Sequence, residues 1–383
     1  AFDRWGQSVI SDASDGNHYN FAAVISAFDY PAKIIPPDTM LKRGRPMAGN
    51  VIVSSRHFPD DVQGTHLNNQ SIGFQGTRWD RLIEEGSGWR TEALPDLIQS
   101  SDSTYRPVAS AFGPDGALYI LDFCNPRIGH MYFSRNEVNR DYSHGRIWRI
   151  TATGRPLLKM PKIRGESPER LLELLREPEN HVRHWARRFL QKGVASEVMP
   201  ALENWVAALD KKDPEYAHLL TEALWVYEGR DIVNKDLLNQ VLGLEEPMAR
   251  AAAVRVIRHW LVADAITDEE GIKLLAKHIV DESERVRLEA VTATGFLKSP
   301  EASELAVYAS TLPMDANMRT AIRQTLKALA KYGEPTSDLG RRFALKIIPL
   351  EELRALPMDP LVAEIILRRP DCSKEEKESA MEA

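Results

Sequence analysis

Two patterns of apolar residues share this chain, and they change over near residue 160. Up to there, short apolar runs alternate with turn formers. Residues 108–112 (VASAF) predict a strand, and Gly113-Pro114-Asp115-Gly116 predicts a tight turn. Pro sets φ at the first corner of such a turn, and Asp-Gly tolerates positive φ. Residues 117–123 (ALYILDF) predict a second strand, rich in aliphatic and aromatic side chains. A long polar loop follows, and residues 145–151 (GRIWRIT) predict a closing strand. At a period of two, Trp148 and Ile150 share one face and Ile147 lies on the other with Arg149. An apolar residue on each face predicts a strand covered on both sides. Strand, Asp-Gly turn, strand, long loop, strand is the plan of one β-propeller blade, whose loops at one end face a central channel.

Upstream, residues 9–10 and 22–25 are short strand candidates around the turn-forming SDASDGN. Asp12, Asp15, Asn17 and His18 gather there, suited either to a loop of oxygen ligands or to ordinary Asx-turn chemistry. Residues 36–50 read as a long connection, 51–54 as a strand, 71–74 and 79–84 as a strand pair around Gly76, and 86–89 as a turn. His57, Asp60, Asp61 and His66 follow one another closely, but their spacing matches no metal motif. Residues 1–150 amount to about three blades, and a closed propeller needs at least four. The expectation is therefore a partial propeller, with its first blades outside this sequence.

Beyond residue 166 the apolar period becomes helical. Ser167-Pro168-Glu169 predicts a helix start, with Ser as N-cap, Pro at the first helical position and an acid in the first turn. Helix-pair texture then recurs. Arg183, Ala217, Arg250, Arg287 and Arg319 stand 34, 33, 37 and 32 residues apart, and a period near 34 made of two helices is the signature of an α-solenoid. The Val-Arg-x-x-Ala flavour, clearest in ESERVRLEA, is HEAT-like. Trp185, Trp205, Trp225 and Trp260 at helical spacing predict core between repeats. The Arg of each Val-Arg pair is expected on the surface, bonded to acids of the neighbouring repeat. His181, His184, His218, His259 and His278 read as surface or packing residues. The predicted organisation is a partial β-propeller (1–152), a linker (153–166), HEAT-like helical repeats (167–345) and a helical tail with a frayed end (346–383).

Composition narrows the function classes. A formal net charge of −6 offers no basic footprint for nucleic acid. Cys124 and Cys372 are the two cysteines, so neither a disulfide framework nor a CxxCH haem motif is present. No apolar run is long enough to span a membrane.

RPVASAFGPDGALYILDF, NPRIGHM, NRDYSHGRIWRI and GRPLL together resemble the membrane-bound dehydrogenase family of planctomycete and verrucomicrobial type. The propeller of that family is similar to those of the pyrroloquinoline-quinone (PQQ) glucose/sorbosone dehydrogenases. There it is followed by HEAT-like repeats and a cytochrome c module. The resemblance covers about residues 1–340. It implies an exported or periplasmic, envelope-associated enzyme that oxidises a carbohydrate or alcohol at the propeller channel. PQQ with calcium would accept the electrons, and a haem c module outside this chain would take them on.

Residue types suited to that site lie in and around the 124–144 loop. Arg106 and Arg140 suit the quinone carboxylates, and Asp122, at a strand end, could orient one of the candidate residues. His130 and His144, with Asp141, suit proton abstraction from a hydroxyl. A structural role competes at each position, such as an Arg140–Asp141 ion pair closing the loop. Arg146 and Arg149 are expected to extend to solvent, and Asp115 to be a turn residue. Two functions follow. One is a fragment of a quinoprotein-type sugar or alcohol dehydrogenase, inactive alone because its pocket is incomplete. The other is a non-catalytic propeller–solenoid scaffold that binds carbohydrate, or a protein on the solenoid.

Overall fold

The computed structural model describes residues 1–11, 17–20, 39–42, 47–128, 139–348 and 350–382. Asp12, Asp15, the strand candidate at 22–25 and His130 lie outside them.

The N-terminal part consists of antiparallel sheets. β1 (Val9–Ser11), β2 (Asn17–Asn20) and β3 (Thr39–Lys42) form one sheet in that order. His18 thus sits within a strand, in register with Ser11 and Leu41. The predicted long connection at 36–50 instead contains β3 and the start of β4 (Met47–Ile52). β4 continues a second sheet with β5 (His66–Gln70), β6 (Gly76–Glu85) and β7 (Gly88–Ala93), and β8 (Ile98–Gln99) pairs β6. Residues 71–74, predicted as a strand, are the connection between β5 and β6, where Gly73 and Gln75 take positive φ.

β5 reads HLNNQ and is buried along its whole length. Two of its side-chain amides bond across sheets: Asn68 Nδ2 donates to Ser11 Oγ and Asn69 Nδ2 to Ser110 Oγ, both at 2.8 Å. Thr77 Oγ1 donates to Asn69 Oδ1, also at 2.8 Å.

β9 (Pro107–Phe112), β10 (Leu118–Asp122) and β11 (Arg146–Ile150) form the third sheet, with β10 central. The predicted strand–turn–strand–loop–strand order is present here. The predicted covering of β11 is not. It is an edge strand, with Ile147 at 68% and Trp148 at 44% exposure. β4 comes close to β9 at Gly49 (φ +64°), where a Cβ would meet Ala109 Cα at 2.8 Å. The core of these sheets is Val53, Phe58, Leu67, Leu118 and Ile120, with Trp79, Phe112 and Ile150 against it. Each large apolar side chain so buried contributes about 1.5–3 kcal/mol.

The linker folds back on the β9–β10 turn, where Leu158 N–H donates to Asp115 O at 2.9 Å. His57 clamps it. Its Nε2 accepts Ala152 N–H at 2.9 Å, so Nδ1 carries the proton given to Pro156 O at 2.9 Å.

The C-terminal part is helical. α1 (Pro168–Glu173) is capped by Ser167 as predicted, with Oγ accepting Arg170 N–H. α2 (Asn180–Lys192), α3 (Ala195–Ala207), α4 (Tyr216–Glu228), α5 (Lys235–Leu242) and α6 (Pro247–Val262) follow. After them come α7 (Asp268–His278), α8 (Glu284–Thr294), α9 (Glu301–Tyr308) and α10 (Ala316–Leu329). The period near 34 appears as alternation of helices. Arg183, Arg250, Arg287 and Arg319 are each the fourth residue of α2, α6, α8 and α10, and Ala217 is the second of α4.

Three of these arginines, Arg183, Arg250 and Arg287, are not on the surface. Arg183 and Arg287 are buried and donate to the turn before their own helix, to Glu177 O and Pro178 O at 2.6 Å and to Asp281 O at 2.8 Å. Trp205 and Trp260 are core as predicted, whereas Trp185 is 49% exposed.

The predicted frayed end is ordered. α11 (Asp338–Ile347), α12 (Leu350–Arg354) and α13 (Pro360–Arg368) lead to α14 (Lys374–Met381). α14 starts at a reciprocal Ser373–Glu376 capping box. Ala380 joins a core with Leu353, Val362, Ile365, Ile366 and Cys372.

By internal contacts the described residues divide after Ala249, rather than between 152 and 167. The first compact unit holds all three sheets and the helices through α5. Within it the sheets are fastened to the helices. Arg56 binds Glu179 through its backbone N–H at 3.0 Å, Nε at 2.9 Å and a terminal nitrogen at 2.7 Å, and also pairs with Glu177. Arg4 pairs with Glu215. The second compact unit runs from Arg250, and there Arg250 pairs with Asp281 at 2.8 Å and Arg255 with Glu289 at 3.0 Å.

Candidate functional site

The loop end of the third sheet carries five of the six predicted site residues. β10 ends at Asp122, whose side chain is fully buried. Oδ1 accepts the N–H groups of Arg106 (2.7 Å) and Cys124 (2.9 Å). Oδ2 accepts Arg146 Nε–H (2.7 Å) and Trp148 Nε1–H (2.9 Å). Cys124 takes φ +50°, so the chain turns sharply as it leaves the strand. Four donors nearly fill what a carboxylate can accept.

Arg106 is 8% exposed. Its guanidinium donates to Asn125 O at 3.0 Å, Ser71 O at 2.7 Å and Pro126 O at 2.6 Å. Burial lowers its pKa from the ordinary value, against the pull of Asp122 and Asp102. Arg106 and Asp122 meet through the Arg106 backbone amide, not through its guanidinium. What they hold is each other's loops.

Arg146 and Arg149, expected in solvent, are both tied down. Arg146 spans Asp122, Asp102 (2.8 Å) and Thr104 (2.9 Å). Its guanidinium, with the Thr104 amide and hydroxyl behind it, lowers the Asp102 pKa to about 2. Arg149 Nε donates to Asp115 Oδ2 at 2.8 Å, and Asp115 also accepts the Tyr119 hydroxyl at 3.0 Å. Asp115 is therefore a turn residue with an ion pair added.

Asp141 and His144 form a separate pair. Asp141 Oδ1 accepts the backbone N–H of Ser143 at 2.9 Å and of His144 at 3.1 Å. Oδ2 meets His144 Nδ1 at 2.8 Å, and the His144 side chain is 75% exposed. The Ser143 amide first, then the His144 ring, brings the Asp141 pKa down to about 2. The predicted Arg140–Asp141 closure takes another form. Asp141 closes its own turn, and Arg140 lies over the Tyr142 ring with 5.4 Å to the centroid.

Among the described residues, no three His, Cys, Asp or Glu side chains gather to hold a metal ion. His57, in the linker clamp, has both ring nitrogens engaged there.

A cleft of about 730 Å³, missed by the sequence reasoning, opens in the same compact unit. β4 and β9 form one wall, through Asn50, Ile52, Ser110 and Phe112, and α2 and α4 form the other. Glu222, 1% exposed, lies at its base. Arg183 Nε is 3.3 Å from one oxygen of Glu222 and Arg187 pairs with the other. Arg187 also sits over Trp225, 4.9 Å from the ring centroid. His181 and His184 line the cleft, and burial lowers the pKa of both, so they are neutral donors and acceptors at pH 7. His218 approaches Glu222 at 3.6 Å, and Nε2–H donates to Arg4 O at 3.2 Å. Burial drives its pKa well down. The signal for Glu222 was its place on α4 one repeat beyond Arg183, a pairing that spacing alone does not reveal.

No helix among the described residues is long and apolar enough to cross a membrane. Residues 38–154 match a family described as a domain of unknown function (DUF7133). A comparison with curated proteins gives no match. Among solved structures the chain is similar to an engineered protein, at 19% identity and a TM-score of 0.30 over 56% of this chain and 93% of that one. It is also similar to a designed armadillo repeat protein in complex with the peptide (KR)4, at 16% identity and a TM-score of 0.24 over 56% of this chain and 97% of that one. The sheet region of the chain thus has a match to a family of unknown function, over the stretch that contains Arg106, Asp122, Asp141 and His144.

Proposed function

We propose that this chain is a binding scaffold of the cell envelope, made of propeller-type blades and a HEAT-like α-solenoid, that holds a carbohydrate or protein ligand without redox chemistry of its own. The β9–β10–β11 hairpin order supports the blade, and the arginine at the fourth position of alternate helices supports the repeat. The observation that carries the reading is the saturation of Arg106 and Asp122. A group that gives its donors to three carbonyls of its own fold, or accepts four protein donors, has little left for a ligand. Arg106, offered for the quinone carboxylates, is thus committed to its own fold, which speaks against that role for it.

The dehydrogenase reading keeps one supporting observation, the exposed Asp141–His144 pair. A carboxylate on Nδ1 orients an imidazole so that its other nitrogen can take a proton from a hydroxyl. Titration of the purified chain with PQQ and calcium, followed by difference absorption, separates the two. The scaffold reading expects no spectral change. A saturable change that is abolished in His144→Ala overturns it and favours the dehydrogenase.

A further inference from the structure

The linker and α2 enclose a second concavity in the first compact unit. It is an open groove of about 630 Å³ lined by Met160, Lys162, Ile163, Arg164, Trp185 and Phe189. Its origin is the two-sidedness of α2. Val182, Arg183, Ala186 and Leu190 face the interior. Trp185, Arg188, Phe189 and Lys192, at i, i+3, i+4 and i+7, share the opposite face. Trp185 and Phe189 stand 6.4 Å apart, ring centroid to centroid. Trp185 is 49% and Met160 38% exposed. Large apolar side chains clustered in the open mark an interaction site more often than they decorate a surface.

The rim decides the partner. Arg164 lines the groove, Lys159 precedes the lining residue Met160, and Arg188 shares the Trp185 face of α2; all three are exposed and have no acidic partner among the described residues. Lys162 is neutralised by Glu166 at 2.8 Å. The groove therefore joins an apolar, aromatic floor to cations that nothing in their own neighbourhood balances. Its lining is nearly devoid of the carboxylate and carboxamide groups that a sugar ring would need for its hydroxyls.

We propose that this groove docks an acidic peptide segment of a partner protein. A bulky apolar residue would sit between Trp185 and Met160, and flanking Asp or Glu would meet Arg164, Arg188 and Lys159. Trp and Arg are the residue types that dominate such contacts. The proposal stands whether or not the sheets bind a cofactor.

The test is selection of a displayed library of random short peptides on the purified chain. Enriched peptides are expected to combine Asp or Glu with Leu, Phe or Trp. Trp185→Ala, on an exposed side chain, is expected to weaken the best peptide by about tenfold or more while the melting curve is unchanged. Arg164→Glu with Arg188→Glu is expected to weaken it as much and to flatten its salt dependence. Failure to enrich any peptide, enrichment of neutral or basic ones, or binding indifferent to both variants would overturn the proposal. So would a sulfated oligosaccharide that binds in a Trp185-dependent way where peptides do not.

Discussion

Arg106 in the sheets and Arg183 and Arg287 in the helices are all buried cations that donate to backbone carbonyls, yet the two settings differ in reach. Arg106 joins carbonyls 35, 19 and 20 residues away. Its anionic neighbour Asp122 gathers donors from a loop, a strand end and the edge strand. Arg183 and Arg287 each donate to carbonyls five and six residues earlier, at the turn that starts their own helix. In the helices the turn bonds are local and repeated, with one longer reach added to each: Arg183 to Glu222 at 3.3 Å and Arg287 to Pro313 O at 2.9 Å. In the third sheet one carboxylate serves a whole end of the sheet. The difference teaches where a buried polar residue is structural. Arg106 and Asp122 have the chemistry of a ligand site and the geometry of a staple.

If that contrast is right, Asp122→Ala should be the most damaging single change. It leaves four buried or half-buried donors without an acceptor, at a cost of about 3–5 kcal/mol. Denaturant unfolding monitored at Trp148 checks it, and a loss below about 1 kcal/mol would break the staple picture.

In the helices the counterpart is Glu222→Ala, which strands the Arg183 guanidinium. The expected cost is about 3 kcal/mol, read as a lowered thermal midpoint. Glu222→Gln should recover part of it, because Gln keeps an acceptor for both arginines. A Glu222→Ala protein as stable as the wild type would mean that the inter-helix pair is dispensable and only the local turn bonds matter.

The smallest effect concerns the exposed end of the same sheet network. Asp102, beside Arg146, titrates at about 2 when folded, against 3.8 for the free side chain. A depressed carboxylate contributes stability that is present above its unfolded pKa and lost as pH falls through the folded one. The melting-temperature difference between wild type and Asp102→Asn should therefore be constant at pH 5 and above, shrink as pH falls through about 2, and vanish only below that. A difference that persists at the acid end would assign the contribution to hydrogen bonding rather than to charge.

Legibility followed the locality of the cause. The Ser167-Pro168 helix start and the β9–β10 turn are written in adjacent residues, and the structure places them where the pattern does. The Ser373–Glu376 capping box was equally legible, and the high charge of the tail masked it. β5 was not legible. HLNNQ has no apolar alternation, and its burial depends on hydroxyl and amide partners from Ser11, Thr77 and Ser110. β3 was hidden within a stretch whose prolines and basic residues read as a connection.

At the candidate site, the sequence singled out Arg106, Asp122, Asp141 and His144 by residue type. It did not reveal that the first pair is consumed by carbonyls and loop amides and that the second stands in the open. By itself the sequence determined the strand–turn–strand–loop–strand order of the third sheet, the change from strands to helices near residue 160, the period near 34 and the residue types that gather at the loop end. Those follow from φ preferences and from which faces must avoid water, and both act over a few residues. The tertiary structure alone decided which polar groups were saturated, that Trp185 faced out while Trp260 faced in, that β11 was an open edge, and that a cleft lay beside Glu222. Burial and hydrogen-bond satisfaction depend on residues tens of positions away, and no local pattern carries that information.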